Sequence, residues 1–571
     1  MKTNTLNFAM IGTLFLLQGG KVFAHNTQHP NIIWITCEDI CPYLGCYGCN
    51  EVKTPNIDKF AKEGMLFQNA YTISGVSAPS RSSLITGMYP MSIGTQHMRT
   101  TILDPKNRIK GLPNYSAVIP SYVKCFPEYL RMNGYYTTNN MKEDYQFVKP
   151  VTVWDESSPA ASYRNDVKGK PFFSVYNLFV THESQLMTQK RPLTVDPRTV
   201  TVPPYYKDTP TVRHDIARML SNVEVMDHNF GEIIKQLKKD GVYDNSYIFF
   251  YADNGGTLPW MKREVLERGT HIPLIIKFPK GAHAGTVDPD MISEIDFAPT
   301  VLSLAHVKIP KYYQGQAFLG SQACKTKRKY VFAAKDRMDN QYDRSRSVRD
   351  EQFRYIYNYN IQIPSYQKLR YRLGIPMMKE MLILHYEGKL DSIQDAWFKV
   401  PKPREELYDE KNDTYEIHNL ANDPKYHDKL VELRQAFRKW TGEVGDLSYI
   451  PEKEMVENWW GGKDKAPSTA TPIIAKVRNG VKISCSTEGA SIGYRILKRG
   501  ERDEMIQRKI WSRDMLYANG INGKQDGNII KVSPSYTVYQ GKTIKLRRGE
   551  TLVVDAMRIG YSPAIVKYIY K

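Results

Sequence analysis

Long apolar runs are scarce in this chain of 571 residues. One lies at residues 8–17, between the basic Lys2 and the small-residue stretch at residues 22–24. This arrangement is typical of a secretory signal peptide, and the run is too short to span a bilayer. We therefore predict a signal peptide at residues 1–24, cleavage near Ala24, and a periplasmic or secreted protein. No later run reaches transmembrane length, so we expect no membrane insertion.

Cysteine is also sparse, at seven residues. Four cysteines lie close together (Cys37, Cys41, Cys46 and Cys49), but no second CxxC pair or nearby HxxxH pair completes a zinc-binding pattern. We therefore favour no zinc site there. Export permits disulfides, yet the odd count leaves at least one thiol unpaired, and the connectivity cannot be read from the sequence.

Acidic residues are in deficit: 60 Asp and Glu stand against 79 Lys and Arg, a net charge of +19. An excess of this size in an exported protein indicates an anionic partner, such as an acidic polysaccharide, or simply a solvated basic face. We find neither zinc-finger spacing nor a ribonucleoprotein signature, so we predict no nucleic-acid partner.

The first large part of the chain alternates strand-like and helix-like patterns. Apolar runs of strand length occur at residues 31–36, 171–179, 246–252 and 273–278. Such runs are typical of parallel strands buried on both faces. Helical patterns lie between them, one with Pro55 just inside its start and Gly64 at its end. We therefore predict an α/β fold, with a doubly wound sheet.

The pattern changes in the last third of the chain. A polar turn and an amphipathic helix follow residue 397, and residues 461–472 form a linker rich in Gly, Pro, Ser and Thr. Short alternating strands with Gly and Asn turns then predict a β-sandwich. We therefore divide the mature chain into residues 25–396, 397–460, 461–472 and 473–571.

Paired oxygen ligands follow two of the predicted strands. Glu38 and Asp39 come after the first strand, and Asp253 and Asn254 after the run at residues 246–252. Ligands in open α/β sheets bind beyond the carboxyl ends of the strands. Three carboxylates and an amide oxygen suit calcium or magnesium better than zinc. Helix capping would explain either pair alone, but both together favour a metal site.

Between these pairs lies the segment "SAPSRSSLITG", residues 77–87. Pro79 presets a first helical turn and Gly87 can end a short helix. Ser77 would then lie at a helix N-terminus, where backbone amides stabilise negative charge, and Arg81 could face it one turn on. The alternative is that Ser77 only caps the helix.

This segment resembles the signature of the formylglycine-dependent type I sulfatases of the alkaline phosphatase superfamily. "NIIWITCEDI", "FFYADNGG", "KREVLERGTHIPLII", "EIDFAPTVLSLAHV" and "EELYDEKNDTYEIHNLAND" are similar to other parts of the family. The closest similarity is to polysaccharide sulfatases related to heparan N-sulfatases. The resemblance implies an alkaline-phosphatase-like, mostly parallel sheet with a smaller C-terminal α+β subdomain, to which the β-sandwich is appended.

The resemblance also implies a mechanism. A maturation enzyme, of the radical type because the residue is serine, would oxidise Ser77 to formylglycine, whose hydrated form attacks sulfur. Asp253 would activate the attacking hydroxyl and His182 would protonate the leaving group. The second hydroxyl then expels sulfate. The resemblance also implies that Arg81 contacts the diol and that Lys142 and Lys262 contact sulfate. It implies a Ca²⁺ site, with Mg²⁺ as the less favoured ion, whose ligands are Glu38, Asp39, Asp253 and Asn254.

The chain departs from the family pattern after Lys142. Many members have a histidine two residues on that contacts formylglycine, but this chain has Asp144. Asp144 or Tyr145 could substitute, or another histidine could enter, and we favour His97. His271 is a further candidate for substrate contact. The alternatives are a surface loop residue for His97 and a packed residue before Pro273 for His271.

The substrate that these features favour is a sulfated polysaccharide such as a glycosaminoglycan, with an O-sulfate or an N-sulfate as the group released. One alternative is a phosphomonoester or phosphodiester hydrolase that uses unmodified Ser77. Another is a glycan-binding relative without activity. The β-sandwich could bind sugar or act as a structural brace, and the brace is slightly favoured.

Overall fold

The computed structural model describes residues 29–102, 108–166, 168–187, 191–510 and 529–571. The predicted signal peptide lies outside these residues. Within them, no helix has both the length and the apolar character needed to cross a bilayer.

A sheet of eight strands forms the centre of the described molecule, in the order β4-β3-β5-β1-β6-β7-β2-β8. The strands are β1 Asn31–Cys37, β2 Met65–Tyr71, β3 Tyr136–Asn140, β4 Glu156–Ser157, β5 Phe172–Leu178, β6 Ser246–Ala252, β7 His271–Lys277 and β8 Thr286–Ser293. The strand pairs are parallel except those that β7 makes with β6 and β2. The prediction of a mostly parallel sheet is confirmed.

Strand β7 was expected to be parallel and is antiparallel instead. A parallel neighbour of β6 would need a crossover long enough to return the chain to the opposite edge of the sheet. The segment between β6 and β7 contains only the four-residue helix at Glu267–Thr270. Strand β7 therefore begins at the edge where β6 ends.

Helices cover both faces of the central sheet. The described helices are α1 Pro55–Glu63, α2 Ser77–Thr86, α3 Pro90–Ile93, α4 Phe126–Met132, α5 Ser184–Met187, α6 Pro210–Lys239, α7 Glu267–Thr270, α8 Phe297–Leu304, α9 Pro376–Tyr386, α10 His427–Val444 and α11 Glu452–Trp460. Neighbouring residues of β6 show the two layers. Phe250 contacts Phe230 of α6, whereas Phe249 faces Phe297 of α8. Both β6 side chains are fully buried, which explains why the strand reads as a continuous apolar run.

A second, antiparallel sheet of four strands follows in the chain. Its order is β12-β11-β10-β9, with β9 Val331–Lys335, β10 Ser345–Arg349, β11 Phe353–Asn358 and β12 Glu405–Asp409. Helix α10 packs on this sheet, with Phe437 against the ring of Tyr357. The sheet contains strands from both sides of the predicted boundary at residue 397, because β12 pairs with β11.

The C-terminal part is a small all-β unit. Its described strands are β13 Ile473–Val477, β14 Gly480–Ser484, β15 Ser491–Leu497, β16 Ile506–Lys509, β17 Ile529–Val532, β18 Thr537–Val538, β19 Thr551–Met557 and β20 Ala564–Ile569. Four of them form the sheet β18-β15-β19-β20. Val481 and Ile483 of β14 pack against Leu552 and Val554 of β19, so two layers share one core. Helix α11 and strand β13 flank the predicted linker at residues 461–472.

Candidate active site

Two adjacent strands deliver acidic residues to one edge of the central sheet. Cys37 of β1 lies beside Ala252 of β6 in a parallel pair. The chain therefore leaves both strands side by side, with Glu38 and Asp39 after β1 and Asp253 after β6. These three carboxylates are buried, and each offers an oxygen within 4.8 Å of the others.

The carboxylates of this cluster differ in charge state. Burial, together with the nearby Asp253, raises the pKa of Glu38 to about 7, and burial also raises the pKa of Asp39. Although burial opposes it, the cations Arg81, Lys142 and Lys262 hold the pKa of Asp253 below its usual range. Asp253 is therefore ionised at neutral pH and carries the most firmly held negative charge of the three.

Ser77 is the first residue of α2, beside the acidic cluster. Val76 before it is extended, and Gly87 ends the helix with φ of 67°, as predicted. This φ lies in the left-handed region, which favours glycine. The Ser77 hydroxyl donates to Asn254 Oδ1 over 3.1 Å. The helix start therefore holds Ser77 against the residue that follows Asp253.

Arg81, one turn further along α2, joins three strand ends. Its Nε donates to Asp253 Oδ2, its Nη2 to Glu38 Oε1 and its Nη1 to Asn177 Oδ1, each over 2.8 Å. The guanidinium is nearly completely buried. Arg81 thus fixes α2, and with it Ser77, against the acidic cluster.

Two lysines contact different carboxylates of the same cluster. Lys142 Nζ contacts Glu38 Oε2 and lies 3.7 Å from Asp253 Oδ2, and Lys262 Nζ contacts Asp39 Oδ2. Although burial opposes it, the Glu38 carboxylate raises the pKa of Lys142. Lys142 therefore carries a full positive charge at neutral pH.

His182 lies in the turn after β5, with its ring stacked on Phe179. The backbone N–H of Ser184 donates to Nδ1 over 3.2 Å, so Nδ1 accepts and the proton of the neutral ring is on Nε2. Burial, followed by the positive charges of Lys262 and Lys142, lowers the pKa of His182 well below its usual value.

These side chains surround a cavity of about 620 Å³. Ser77, Lys142, His182 and Lys262 all line it, together with Arg99, Asp144, Lys149 and Tyr371, which are more accessible to solvent. Four lysine and arginine side chains thus face a space large enough for a sugar unit. Three acidic residues, Glu143, Asp144 and Glu183, also line the cavity, so the lining carries a small excess of positive charge, which favours a ligand with negative charge.

The donor set fits a hard divalent cation. The ligand atoms are carboxylate oxygens with one amide oxygen from Asn254, which calcium and magnesium prefer. Asp39 Oδ1 is buried and has no hydrogen-bond partner among the described residues, although a buried carboxylate oxygen normally has one. Within the described residues, Glu38, Asp39 and Asp253 form the one His, Cys, Asp and Glu cluster compact enough to share an ion.

The predicted substrate-contact residues are placed differently from one another. Asp144 lines the cavity with an exposed side chain, and its carboxylate lies 3.6 Å from Lys142. Tyr145 also lines the cavity but is buried. Neither His97 nor His271 is among the lining residues.

Both histidines lie in other surroundings. His97 is buried with its Nε2 3.8 Å from Glu452 Oε2, and burial lowers its pKa to about 4. His271 stacks on Tyr71 and its Nε2 lies 2.9 Å from the Gln68 carbonyl. The structure thus brings neither histidine to Ser77.

The sequence reading missed one ion pair. Glu183 accepts two bonds from Arg263, over 2.6 and 2.8 Å, and its backbone N–H donates to Asp39 Oδ2 over 2.8 Å. It also lies 3.5 Å from Lys262. The available signal was its place directly after His182, at the end of a predicted strand.

Asn177 was also missed. It lies on β5, where it accepts from Arg81 and donates to Asn139 Oδ1 over 3.0 Å. Its signal was a polar amide inside an otherwise apolar run, "FFSVYNLF". A buried amide there needs partners, and Arg81 supplies one.

Comparison with known proteins agrees with this geometry. The family model described as sulfatase matches residues 30–307, and the model described as N-sulphoglucosamine sulphohydrolase, C-terminal, matches residues 256–369. An ulvan-active sulfatase of Formosa agariphila is 40% identical over 94% of this chain and 90% of its own length. Human N-sulphoglucosamine sulphohydrolase is 25% identical over 70% of this chain and 88% of its own.

Solved structures share the fold at lower identity. A 2-O GAG sulfatase has a TM-score of 0.53 at 19% identity, covering 73% of this chain and 93% of that one. The phosphonate monoester hydrolase of Agrobacterium radiobacter also has a TM-score of 0.53, at 16% identity, covering 73% and 97%. These similarities confirm the alkaline-phosphatase-like fold. The long match at 40% identity shows the family: the chain belongs to the sulfatases and is a sulfuric ester hydrolase.

Proposed function

We propose that this sulfatase removes sulfate groups from an anionic polysaccharide, with formylglycine made from Ser77 as its nucleophile and Ca²⁺ as its metal ion. The observation that carries the proposal is the placement of Ser77 in one cavity with Lys142, His182 and Lys262, directly beside the buried acidic cluster. A nucleophile, a proton carrier and a clamp of positive charges are what sulfate transfer requires.

The two lysines are suited to hold the sulfate group. Each ammonium is a compact charge with three donors, and each now contacts one carboxylate of the cluster. A sulfate group entering the cavity would offer oxygens to the same donors. Because the lysines are nearly buried, their attraction for the anion is weakly screened. They would favour the transition state, in which the leaving oxygen gains charge.

Glu38, Asp39, Asp253 and Asn254 would hold the metal ion. When bound, a divalent cation there supplies positive charge that polarises a sulfate oxygen and the attacking hydroxyl. The three carboxylates among these residues are already held in place by Arg81 and Glu183 through the bonds described above. Calcium is favoured over magnesium because several protein oxygens, rather than water, provide the ligands.

Formylglycine, hydrated by one water molecule, would supply two hydroxyls on one carbon, so that one attacks sulfur and deprotonation of the other expels sulfate and regenerates the aldehyde. An unmodified serine could accept sulfate but could not release it by this route. The start of α2 holds the side chain at position 77 next to Asn254, within the reach of the ionised Asp253. The serine form of the signature supports maturation by an enzyme of the radical type.

His182 is suited to protonate the leaving oxygen. Its Nδ1 is engaged by Ser184, which leaves Nε2 as the atom that can exchange a proton with substrate. Lysines disfavour the imidazolium in the free protein, whereas a bound sulfate would offset their charge and favour it. Proton donation would therefore be coupled to substrate binding.

Ulvan is the first substrate to test, because the 40% identical relative is named for activity on it. Lower-identity relatives are named for N-sulfoglucosamine and for the 6-O-sulfate of N-acetylglucosamine. The net charge of +19 supports an anionic polymer as substrate. The apolar N-terminal run supports export of the protein from the cytoplasm, to the surroundings in which such polymers occur.

A phosphate or phosphonate ester hydrolase is the second candidate, because phosphonate monoester hydrolases share the fold. The deciding experiment incubates the matured protein and Ca²⁺ with ulvan, heparan sulfate, an aryl sulfate and an aryl phosphate, and measures the sulfate or phosphate released. We expect sulfate release from ulvan above that from heparan sulfate, and little phosphate. Release of phosphate alone would contradict the proposal.

A further inference from the structure

A second cavity lies where the catalytic domain meets the C-terminal β unit. Its volume is about 450 Å³. One wall is residues 149–159, which follow the predicted sulfate-binding Lys142. The other wall is residues 530–536, which comprise the end of β17 and its connection to β18. We refer to this cavity as the interdomain groove.

The two walls of the groove are fixed to each other by polar contacts. Ser535 Oγ donates to Asp155 Oδ1 over 2.8 Å, and Arg508 Nε donates to Glu156 Oε1 over 2.6 Å. Arg131 binds both Asp155 and the Ser535 hydroxyl. Contacts of this kind hold the groove open at a set width, and they also neutralise its two carboxylates.

The groove adjoins the active-site cavity. Lys149 lines both, and Val148 lines the active-site cavity next to it. Met141, which precedes Lys142, lines the groove. Val148 and Met141 are 62% and 40% exposed, so both offer apolar surface to a ligand. An apolar surface beside a lysine matches a sugar ring that has an apolar face and an anionic substituent.

The unneutralised charge of the groove is positive. Lys531 of β17 lines it, is exposed, and forms no ion pair with any residue that the structure describes. Lys149 is half-buried and pairs with Glu143 over 2.9 Å. The carboxylates of Asp155 and Glu156 are already bound by arginines. A negatively charged ligand would therefore find a free cation on the β-unit wall.

We propose that the interdomain groove binds a further stretch of the same anionic polysaccharide whose sulfate group occupies the active-site cavity. This inference rests on the proposed function and extends it: the β unit would form part of the polymer-binding surface as well as bracing the catalytic domain. Lys149 lines both spaces, so a chain leaving the cavity past Lys149 enters the groove directly.

The test compares three variants by affinity electrophoresis in gels that contain ulvan. Lys531→Glu reverses the free charge of the groove, and Ser533→Trp fills the groove without changing charge. Lys545→Glu is the matched control, because it makes the same charge change at an exposed lysine of the β unit that does not line the groove. This control separates the groove from the general attraction of a basic protein for a polyanion.

We expect Lys531→Glu and Ser533→Trp to weaken ulvan binding roughly threefold to tenfold relative to Lys545→Glu, the range for a few exposed contacts. Equal retardation of all three variants would overturn the proposal that the groove binds the polysaccharide. Thermal melting of each variant checks the fold. Because retardation needs no turnover, the result stands whether or not ulvan is hydrolysed.

A second measurement uses catalysis. The ratio of kcat/KM on ulvan oligosaccharides to kcat/KM on an aryl sulfate, which is too short to reach the groove, should fall in Lys531→Glu relative to Lys545→Glu. The fall should grow with oligosaccharide length. If this ratio of kcat/KM values were the same in both variants at every oligosaccharide length, the proposal that the groove binds the polysaccharide would be overturned. Absence of sulfate release from every polysaccharide by the wild-type protein would instead contradict the proposed function.

Discussion

Among the buried clusters of carboxylates and cations in the described residues, two differ in access and in the cations they use. The first, which we call the catalytic cluster after the proposed function, consists of Glu38, Asp39 and Asp253 with Arg81, Lys142 and Lys262. The closed cluster consists of Glu267, Glu410 and Glu416 with Arg268, Arg349 and Arg354, and it joins α7 to the second sheet. Each contains three acidic and three basic residues, so charge balance does not separate them.

The two clusters differ in whether a ligand in the active-site cavity can reach them. Lys142 and Lys262 of the catalytic cluster line a cavity of about 620 Å³, and no member of the closed cluster is among its lining residues. The cations also differ. Arg354 contacts Glu410 over 2.9 Å and Glu416 over 3.1 Å, so one guanidinium joins two segments. Lysines that face a cavity can exchange a carboxylate for a sulfate oxygen, whereas such an arginine is committed to its partners. A buried charged cluster is therefore functional where it opens onto a nucleophile.

The largest effect expected is that of Ser77→Ala. Removing the residue that would carry the nucleophile should lower sulfate release by a factor of about 10⁴ or more. The substitution removes one hydroxyl, which donates a hydrogen bond to Asn254 Oδ1, so the melting temperature should change little. Sulfate release and melting are measured on the same preparation. Turnover at the wild-type rate would contradict the assignment of Ser77.

One substitution in each cluster tests the comparison itself. Arg354→Met should lower the free energy of unfolding by about 3–5 kcal/mol, because it leaves buried carboxylates without their cation. Lys262→Met, measured in Ca²⁺, should change stability less but lower sulfate release roughly 10²- to 10³-fold through loss of a charge at the sulfate. Denaturant unfolding and sulfate release are measured for both variants. If both variants lost stability and sulfate release to the same extents, the distinction between a catalytic and a closed cluster would be contradicted.

Metal removal should distinguish the clusters by stability. A cation that binds the folded protein at 100 times its Kd stabilises it by about 2.7 kcal/mol. Chelation should therefore lower the melting temperature of the wild-type protein, and Ca²⁺ should restore it. Asp253→Asn should lose this response, whereas Glu410→Gln, a buried acid of the closed cluster, should retain it. If the Ca²⁺ response survived in Asp253→Asn and were lost in Glu410→Gln, the ion would bind in the closed cluster, which would contradict the proposed metal site.

The pH dependence should report His182. Burial, followed by the charges of Lys262 and Lys142 and offset in part by those of Glu183 and Asp253, lowers its pKa, so the free protein holds the imidazolium only in acid. If the imidazolium is the acid, kcat/KM should fall about tenfold per pH unit above that pKa. Bound sulfate raises the pKa, so kcat should begin to fall at higher pH. His182→Gln should remove both the decline of kcat/KM and the decline of kcat at high pH. The role of His182 would be contradicted if the two declines occurred at the same pH in the wild-type protein, or if they persisted in the variant.

Much of the fold was predictable because local signals agreed with it. Pro55, Gly64 and Gly87 predicted helix ends that the structure has, and the fully apolar strands predicted a sheet covered on both faces. The antiparallel direction of β7 was not predictable from its sequence, because an apolar run is the same in either direction. It depended on the short connection before it.

The candidate site was predictable in part for a similar reason. The strand-end acids and Ser77 are local motifs, and the carboxyl edge of the sheet brings them together. The partners of His97 and His271 depend on distant segments, such as Glu452 in α11 and Gln68 in β2, which no local pattern indicates. Glu183 and Asn177 were missed because their importance comes from contacts with Asp39 and Arg81.

The most direct measurement of the central claim is the mass of the peptide that contains Ser77, from protein made together with a maturation enzyme of the radical type and active in sulfate release. The account predicts a peptide lighter by two hydrogens than the serine form, with the fraction converted proportional to activity across preparations. Fully active protein in which position 77 is entirely serine would contradict it.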